Sequence, residues 1–396
     1  MKADNLELPS EIMELQMGPS HPATHGTIKF NLKLEGEKVL DCDVEVGFLH
    51  RGFDKSCENA TWTQVIPYTD RLNYASSLIN NVGYALAVEK LIGAETPPRC
   101  QYIRVIVSEL ARLFDHLTCC GMAASELGAI TVGFYMIEAR EMITRIIENL
   151  TGARLTVTYV RIGGVKHDLP QDFAERVTDA FKIIRKLLGD CDRLLSRNRI
   201  FIDRMSNVGV ISRERAVDYS LTGPILRATG VSYDVRKAYP YLVYDQLDFN
   251  VPVGTKGDNY DRFVCRIEEI GQSMRIVEQA LEKLPVGPVW IDDPRFVLPE
   301  KEKVYGSIEG LMHHFKIIME GIHVPVGETY CAVEGGNGEL GFYIVSDGGG
   351  KPYRVRVRPP CFIAMGAFAE MIRGYMVADI VPTFGMINMI GGECDR

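Results

Sequence analysis

The stretch Tyr102-Ile-Arg-Val-Ile-Val-Ser-Glu-Leu-Ala-Arg-Leu-Phe-Asp-His-Leu117 repeats apolar residues every three or four positions, the period of a helix with one buried face. The apolar residues of this stripe are Ile103, Ile106, Leu110, Leu113 and Leu117. Similar stripes begin at Tyr74, Ile143, Phe173 and Phe263. Helices of this kind bury their apolar faces against one another, so residues 61–285 are predicted to form a central helical bundle.

Outside this region the period changes to two, which is typical of strands with one buried face. Residues 28–46 predict a hairpin that turns at residues 35–38, and residues 342–357 predict another that turns at residues 347–350. A helix is predicted over residues 307–320, after a loop at residues 286–303. The expected fold class is α+β. A β-rich N-terminal segment (1–60), the helical bundle (61–285) and a C-terminal α/β segment (286–396) would pack into one integrated domain.

Composition limits the classes of function. The chain has 396 residues, 46% of them hydrophobic, and a net charge of −8, which argues against nucleic-acid binding. No basic, apolar, small-residue pattern opens the sequence, so a secretory signal is not expected. No apolar run is long enough to span a bilayer; the uncharged stretch 380–392 is short and is expected to break at Pro382. Ten cysteines without a Cys-x-x-Cys pair indicate reduced thiols in a cytoplasmic protein, with no metal or iron–sulfur cluster of its own.

Two histidines stand four residues apart in Gly18-Pro-Ser-His-Pro-Ala-Thr-His-Gly26. Pro19 and Pro22 exclude a helix here, so His21 and His25 lie on a short, stiff loop. Because an imidazole changes its protonation state near neutral pH, this loop is a candidate for proton delivery. The alternative is that both are ordinary hydrogen-bonded or surface histidines.

Three further features are candidates for the same site, each with a simpler alternative. Tyr74 offers a phenolic proton donor, but it also begins an apolar stripe and could be a core residue. Glu126 is the only charge between residues 117 and 137; a carboxylate there needs a partner, unless it lies on a surface loop. The third candidate is His116, together with Asp115 and Arg112. In the simpler alternative these residues lie on a solvated helix face.

The chain resembles the D-type subunit family of bacterial complex I, the proton-pumping NADH:quinone oxidoreductase. The motifs that carry the resemblance run in order from residue 18 to the C-terminus. They are Gly18 to Gly26, Gly47-Phe-Leu-His-Arg-Gly-Phe-Asp-Lys55, Arg161-Ile-Gly-Gly-Val165, Leu221-Thr-Gly-Pro-Ile-Leu-Arg-Ala-Thr-Gly230, Tyr233-Asp-Val-Arg-Lys-Ala-Tyr-Pro240, Gly338-Glu-Leu-Gly341 and Asp395-Arg396. The family is related to the large subunit of nickel–iron hydrogenases, which implies that fold. The two Cys-x-x-Cys pairs that hold the hydrogenase metal are missing, so no metal centre is expected.

The resemblance implies the quinone headgroup site of the complex. His25 and Tyr74 match the two residues that bind the headgroup, Glu126 matches an acid that pairs with the histidine, and His21 matches a supporting residue. The family usually has Asp at the positions of Glu126 and Asn73, and an Asp-Pro in the stretch 387–393. The chain would bind no cofactor itself and would not be active alone.

The implied partners are a B-type subunit with a 4Fe-4S cluster, a C-type subunit and a membrane-embedded H-type subunit, with quinone as substrate. The chain would lie peripherally on the cytoplasmic side of the cell inner membrane. Two alternatives remain open: the equivalent subunit of a related complex whose electron donor is ferredoxin or a deazaflavin, and a scaffold subunit without quinone chemistry. The sequence does not distinguish ubiquinone from menaquinone, or H⁺ from Na⁺ pumping.

Overall fold

The N-terminal part forms a three-stranded antiparallel sheet. The structure, a computed structural model, describes residues 12–195 and 197–396; residues 1–11 of the predicted N-terminal segment lie outside the described residues. The strands are β1 (Ile12–Met17), β2 (Lys29–Glu35) and β3 (Lys38–Glu45), in that order across the sheet. The predicted hairpin is confirmed as β2–β3, with Phe30, Leu32 and Leu34 buried on one face. The sequence pattern did not indicate β1.

The helical region contains the predicted stripes, and several helices are longer than their stripes. Its elements in chain order are α1 (Phe53–Asn59), α2 (Ile66–Thr69), α3 (Ser77–Ile92), α4 (Pro98–Glu126), α5 (Ile130–Thr151), the short strands β4 (Val160–Arg161) and β5 (Gly164–Val165), α6 (Phe173–Leu195), α7 (Arg199–Met205), α8 (Arg213–Asp218), α9 (Gly223–Ala228), α10 (Val235–Ala238) and α11 (Asn259–Glu282). The helix that carries the decisive stripe, α4, packs against α3, α5 and α11. Because neighbours surround it, most of its residues are buried.

The C-terminal part mixes helices with a second antiparallel sheet. Its elements are α12 (Lys301–Gly306), α13 (Ile308–Met319), β6 (Gly327–Gly335), β7 (Gly338–Ser346), β8 (Arg354–Arg358), α14 (Pro360–Ile372), α15 (Val377–Ile387) and α16 (Gly391–Asp395). The sheet packs on α3, where Gly83 permits the contact: a Cβ there would lie 2.9 Å from Val333 Cγ2 and 3.0 Å from Phe342 Cε2. The α+β class is therefore confirmed.

The break expected at Pro382 is wrong, because α15 continues through it. A proline has no N–H, so it leaves the carbonyl four residues earlier without its helical partner. That carbonyl belongs to Ala378, and it accepts a hydrogen bond from the Arg204 guanidinium at 2.7 Å. A residue from α7 thus replaces the missing donor, which the sequence around Pro382 could not reveal.

Two apolar cores position the site. The larger one lies among the bundle helices and the second sheet, and the smaller one joins the first sheet to α14, α15 and α16. The His-bearing loop between β1 and β2 (residues 18–28) lies beside α15. Among residues 12–195 and 197–396, no helix combines the length and apolar character needed to cross a bilayer.

Candidate functional site

A cavity of about 450 Å³ lies where the His-bearing loop, the turn before α3, the C-terminal half of α4, α5 and the end of α15 meet. Three predicted residues, His25, Tyr74 and Glu126, line it together. The other lining residues are Ala75, Phe114, Thr118, Cys119, Met122, Arg140, Glu141, Thr144, Arg154, Leu155, Gly385, Asn388 and Ile390. Most of the wall area is apolar, as in sites that bind small molecules, although several polar and charged side chains also line it.

The two histidines of the loop have different roles in the structure. His21 precedes a short 3-10 turn (Pro22–Thr24), and its Nδ1 accepts a hydrogen bond from the Ala23 amide at 3.1 Å. His21 is exposed and acts as a cap. His25 ends the same turn in the left-handed region, at φ 53°, and its ring meets the Phe384 ring edge-on at 5.0 Å between centroids. The cap and the turn therefore orient the loop, and His25 alone faces the cavity.

Glu126 is the last residue of α4, and its Oε1 lies 3.7 Å from His25 Nε2. This is too long for a hydrogen bond but within the distance of an ion pair. The alternative of an exposed loop acid is wrong, because the Glu126 side chain is largely buried. Its Oε2 is buried and, within the described residues, has no hydrogen-bond partner. The cavity therefore holds an acid whose second oxygen is free.

Tyr74 begins a 3-10 turn (Tyr74–Ser76) directly before α3, and 42% of the residue is exposed toward the cavity. The alternative of a core tyrosine is therefore wrong. Asn73 caps this turn: its Oδ1 accepts from the amides of Ala75 at 3.1 Å and Ser76 at 3.3 Å. Burial, together with the Asp115 carboxylate and Cys361, raises the pKa of Tyr74, so the phenol keeps its proton at neutral pH.

Asp115 lies beneath this wall of the cavity and accepts hydrogen bonds from two amide side chains. Asn73 Nδ2 donates at 3.2 Å and Asn388 Nδ2 at 3.0 Å. Asn73 stands where the resemblance leads one to expect an aspartate, and Asn388 belongs to the stretch 387–393, where the family usually has an Asp-Pro. With Asn at both, a single buried carboxylate receives two donors instead of facing two like charges. Asn73 and Asn388 are therefore compatible with each other, because both stabilise the same carboxylate.

The alternative of a solvated helix face for Arg112, Asp115 and His116 is wrong, since all three are fully buried between α4 and its neighbours. His116 Nε2 lies 2.8 Å from Glu269 Oε2, and its Nδ1 lies 3.3 Å from an Arg266 nitrogen. Because Arg266 can only donate, Nδ1 accepts and Nε2 carries the proton. Burial lowers the pKa of His116, which keeps it neutral and structural.

Sequence reasoning missed a buried network of charges that supports α4. Arg227 contacts Glu269 and Glu334, each at 2.7 Å, and Arg236 contacts Glu109 at 3.1 Å. Burial raises the pKa of Glu109, but Arg112 and Arg236 outweigh it and hold the value at about 2. One signal in the sequence could have revealed the network. Charged residues occur within the apolar stretch 102–117. In the described part of the chain no cluster of three or more His, Cys, Asp or Glu side chains could hold a metal ion.

Comparison with known proteins defines the class. The model of the respiratory-chain NADH dehydrogenase 49 kDa subunit family matches residues 126–396. The D 1 subunit of the NADH-quinone oxidoreductase of Sorangium cellulosum is 57% identical, over 99% of this chain and 97% of its own length. The D subunit of the Myxococcus xanthus enzyme is 54% identical, over 98% and 94%. The C/D subunit of the Bdellovibrio bacteriovorus enzyme is 49% identical, over 98% of this chain and 70% of its own length.

These matches define a subunit of a respiratory oxidoreductase complex. The chain belongs to the 49 kDa subunit family, whose bacterial relatives are named as D subunits of NADH-quinone oxidoreductase. The resemblance seen in the sequence is confirmed, and so is the assignment of the chain as one part of an enzyme complex.

Proposed function

We propose that the cavity between His25 and Tyr74 binds a quinone headgroup, and that the chain forms the quinone-reducing site of a proton-translocating NADH:quinone oxidoreductase. One observation carries the proposal: an imidazole and a phenol, 49 positions apart in the sequence (74 − 25), line one largely apolar cavity of about 450 Å³. This size lies within the range of small-molecule sites. The scaffold alternative predicts no such cavity.

The proposed chemistry follows from the groups present. Reduction of a quinone to a quinol adds two electrons and two protons, one proton to each carbonyl oxygen. A protonated His25, beside Glu126, would supply one proton, and the neutral phenol of Tyr74 would supply the other. His21 would support this arrangement only by holding the loop. The change of charge on His25 would change the electrostatic environment of the Glu126 carboxylate. This offers a route by which quinone reduction is coupled to ion pumping.

The electrons would come from a 4Fe-4S cluster in an adjacent B-type subunit, with no cofactor bound by this chain. Association with a C-type subunit is supported by the relative named as a C/D subunit, in which this chain accounts for 70% of the length. Contact with an H-type membrane subunit would place the chain peripherally on the cytoplasmic side of the inner membrane. The bundle flanked by two sheets is compatible with a nickel–iron-hydrogenase-large-subunit fold. The names of the relatives favour NADH over ferredoxin or a deazaflavin as the electron source.

The test is Tyr74→Phe in the assembled complex. This change removes one proton donor and leaves the ring, so NADH:quinone activity should fall about a hundredfold, the usual contribution of general acid catalysis. Electron transfer from NADH to ferricyanide should be unchanged, because that acceptor does not need this site. Tyr305→Phe, on an exposed tyrosine outside the cavity, is the matched control. Unchanged quinone turnover in Tyr74→Phe would disprove the assignment.

A further inference from the structure

One cation of the cavity has no counter-charge, and the chemistry proposed above does not use it. Arg140 of α5 lines the cavity, and within the described residues its guanidinium forms no ion pair and no hydrogen bond; its Nε is buried. The other arginine of the cavity, Arg154, pairs with Glu141 at 2.5 Å and with Glu148 at 2.8 Å. Because a guanidinium keeps its proton near neutral pH, Arg140 brings a lasting positive charge to the cavity wall.

An aromatic ring holds this charge in place. The guanidinium carbon of Arg140 lies over the Phe114 ring, 5.2 Å from its centroid. The electron-rich face of a ring attracts a cation but, unlike a carboxylate, does not neutralise it. The guanidinium is therefore positioned at the wall while its charge and its N–H donors remain available to a ligand.

The cavity extends along one side of α4. The residues of α4 that line it include four at intervals of four positions: Phe114, Thr118, Met122 and Glu126. Residues at this spacing are neighbours on one side of a helix, and the first and the last are about 18 Å apart along the helix axis. The cavity therefore has two separate ends.

Arg140 lies at the end that contains Tyr74. At the opposite end, His25 approaches Glu126 at 3.7 Å. Phe114 and Tyr74 also line one small adjoining pocket of about 10 Å³, which requires the two rings to lie close together. Arg140, over the Phe114 ring, is thus nearer to the phenol than to the imidazole.

We propose that Arg140 stabilises the negative charge that develops on the quinone oxygen beside Tyr74 as electrons enter the ring. The inference rests on the quinone site proposed above, with electrons from the cluster of the partner subunit. The Tyr74 O–H bond breaks as the quinol O–H bond forms, so the negative charge moves from the quinone oxygen to the phenolate, and Arg140 remains beside both. His25 protonates the other quinone oxygen, and both residues regain their protons from solvent.

The surroundings of Tyr74 make a cation useful at this end. Burial and the Asp115 carboxylate raise the pKa of the phenol, so they disfavour a phenolate. Loss of the Tyr74 proton would otherwise leave two negative charges near each other. A guanidinium that is already in position offsets this cost, because fixed charges stabilise a developing anion most where water is scarce. By the same argument, a quinone with a negatively charged ring oxygen should bind more tightly than a neutral one.

The first test measures the binding of two matched naphthoquinones to the assembled, oxidised complex without NADH. Lawsone carries a ring hydroxyl that is ionised at neutral pH, and menadione carries a methyl group in its place. Arg140→Gln should weaken lawsone binding by about tenfold, the effect of one lost hydrogen bond to a charged group, and leave menadione binding unchanged. Arg140→Lys keeps the charge and should retain most of the lawsone affinity. An equal loss for both probes, or no loss for lawsone, would overturn the proposal.

The second test is steady-state reduction of quinone by the same complex. Because the charge develops only during reduction, Arg140→Gln should lower kcat by about tenfold and change KM little. Arg145→Gln is the matched control, since Arg145 lies in the same helix and forms an exposed pair with Glu141. A raised KM with unchanged kcat, or equal kcat in the two variants, would contradict the role of Arg140.

The outcomes separate this inference from the quinone site itself. If Tyr74→Phe keeps full quinone turnover, the quinone site is wrong and the role of Arg140 fails with it. If Tyr74→Phe is slow but Arg140→Gln binds lawsone like the wild type, the site stands and only the role of Arg140 is wrong. If Arg140→Gln lowers the yield of complex while the assembled enzyme behaves like the wild type, the guanidinium pairs with a partner subunit and the proposal is overturned.

Discussion

At the scale of single residues, the position of Glu126 depends on a glycine in another helix. A Cβ at Gly385 of α15 would lie 2.9 Å from Glu126 Oε2, closer than real Cβ contacts come. Glutamate is one methylene longer than the aspartate that the family resemblance leads one to expect. The space over Gly385 accommodates the carboxylate and lets Oε1 approach His25.

Gly385→Ala should therefore displace the Glu126 carboxylate and weaken its interaction with His25. We expect quinone reduction to fall by about tenfold, since small displacements of a catalytic arrangement are costly. The control is Gly366→Ala in α14, where an added Cβ meets nothing within 4 Å and a better helix former replaces glycine. Steady-state kinetics of both variants with quinone would check this, and equal activity in the two would contradict it.

At the scale of elements, α4 and α11 pack together through buried charges as well as apolar side chains. Glu269 of α11 accepts from His116 at 2.8 Å and pairs with Arg227 at 2.7 Å. Burial raises the pKa of Glu269, but Arg227 and His116 outweigh it and hold the value well below normal. Taking one partner out of such a network leaves the other charge buried and unpaired.

Glu269→Gln should consequently destabilise the protein by about 3 kcal/mol, the usual cost of breaking a buried ion pair. The measurement is the temperature at which the purified complex loses this chain, which should drop by several degrees. Glu278 lies in the same helix as Glu269 and forms an exposed pair with Arg185 of α6. Glu278→Gln should leave this temperature almost unchanged, because exposed pairs contribute little to stability. Equal midpoints for the two variants would show that the network is not needed for stability.

At the scale of the whole molecule, the N-terminal sheet and the C-terminal helices meet. The smaller apolar core contains residues of the first sheet and of α14 to α16. The Asp395 carboxylate accepts from the amides of Gly47 at 3.0 Å and Leu49 at 2.7 Å. The site lies beside this junction, which explains why its residues come from distant segments. The division at residues 60 and 285 stays a prediction.

The ten cysteines give a prediction for the whole molecule. None is paired: nine are buried and Cys331 is half-buried. Alkylation of the denatured chain without reductant should therefore add ten labels, the same number as after reduction. In the native complex labelling should be slow, because burial protects the thiols and raises their pKa values, to about 12 for Cys57. Fewer than ten labels by mass spectrometry of the denatured chain would reveal a disulfide.

Periodicity was sufficient for the elements whose apolar residues recur at a regular spacing. The β2–β3 hairpin and the helices α3, α4, α5, α6 and α11 were predicted for this reason. It gave no prediction for β6 or for α14 to α16, whose sequences show no clear period. Periodicity also did not show that Arg112, Asp115 and His116 are buried. The sequence of one helix cannot distinguish a solvated charge from a buried charge whose partner lies on another helix.

The sequence by itself determined the fold class, the family and the presence of His25, Tyr74 and Glu126 as candidate groups. Only the tertiary structure decided that these three line one cavity and that His21 is a cap. The physical reason is that local sequence encodes backbone preferences and apolar faces. Burial, proximity and pKa depend on which distant segments pack together.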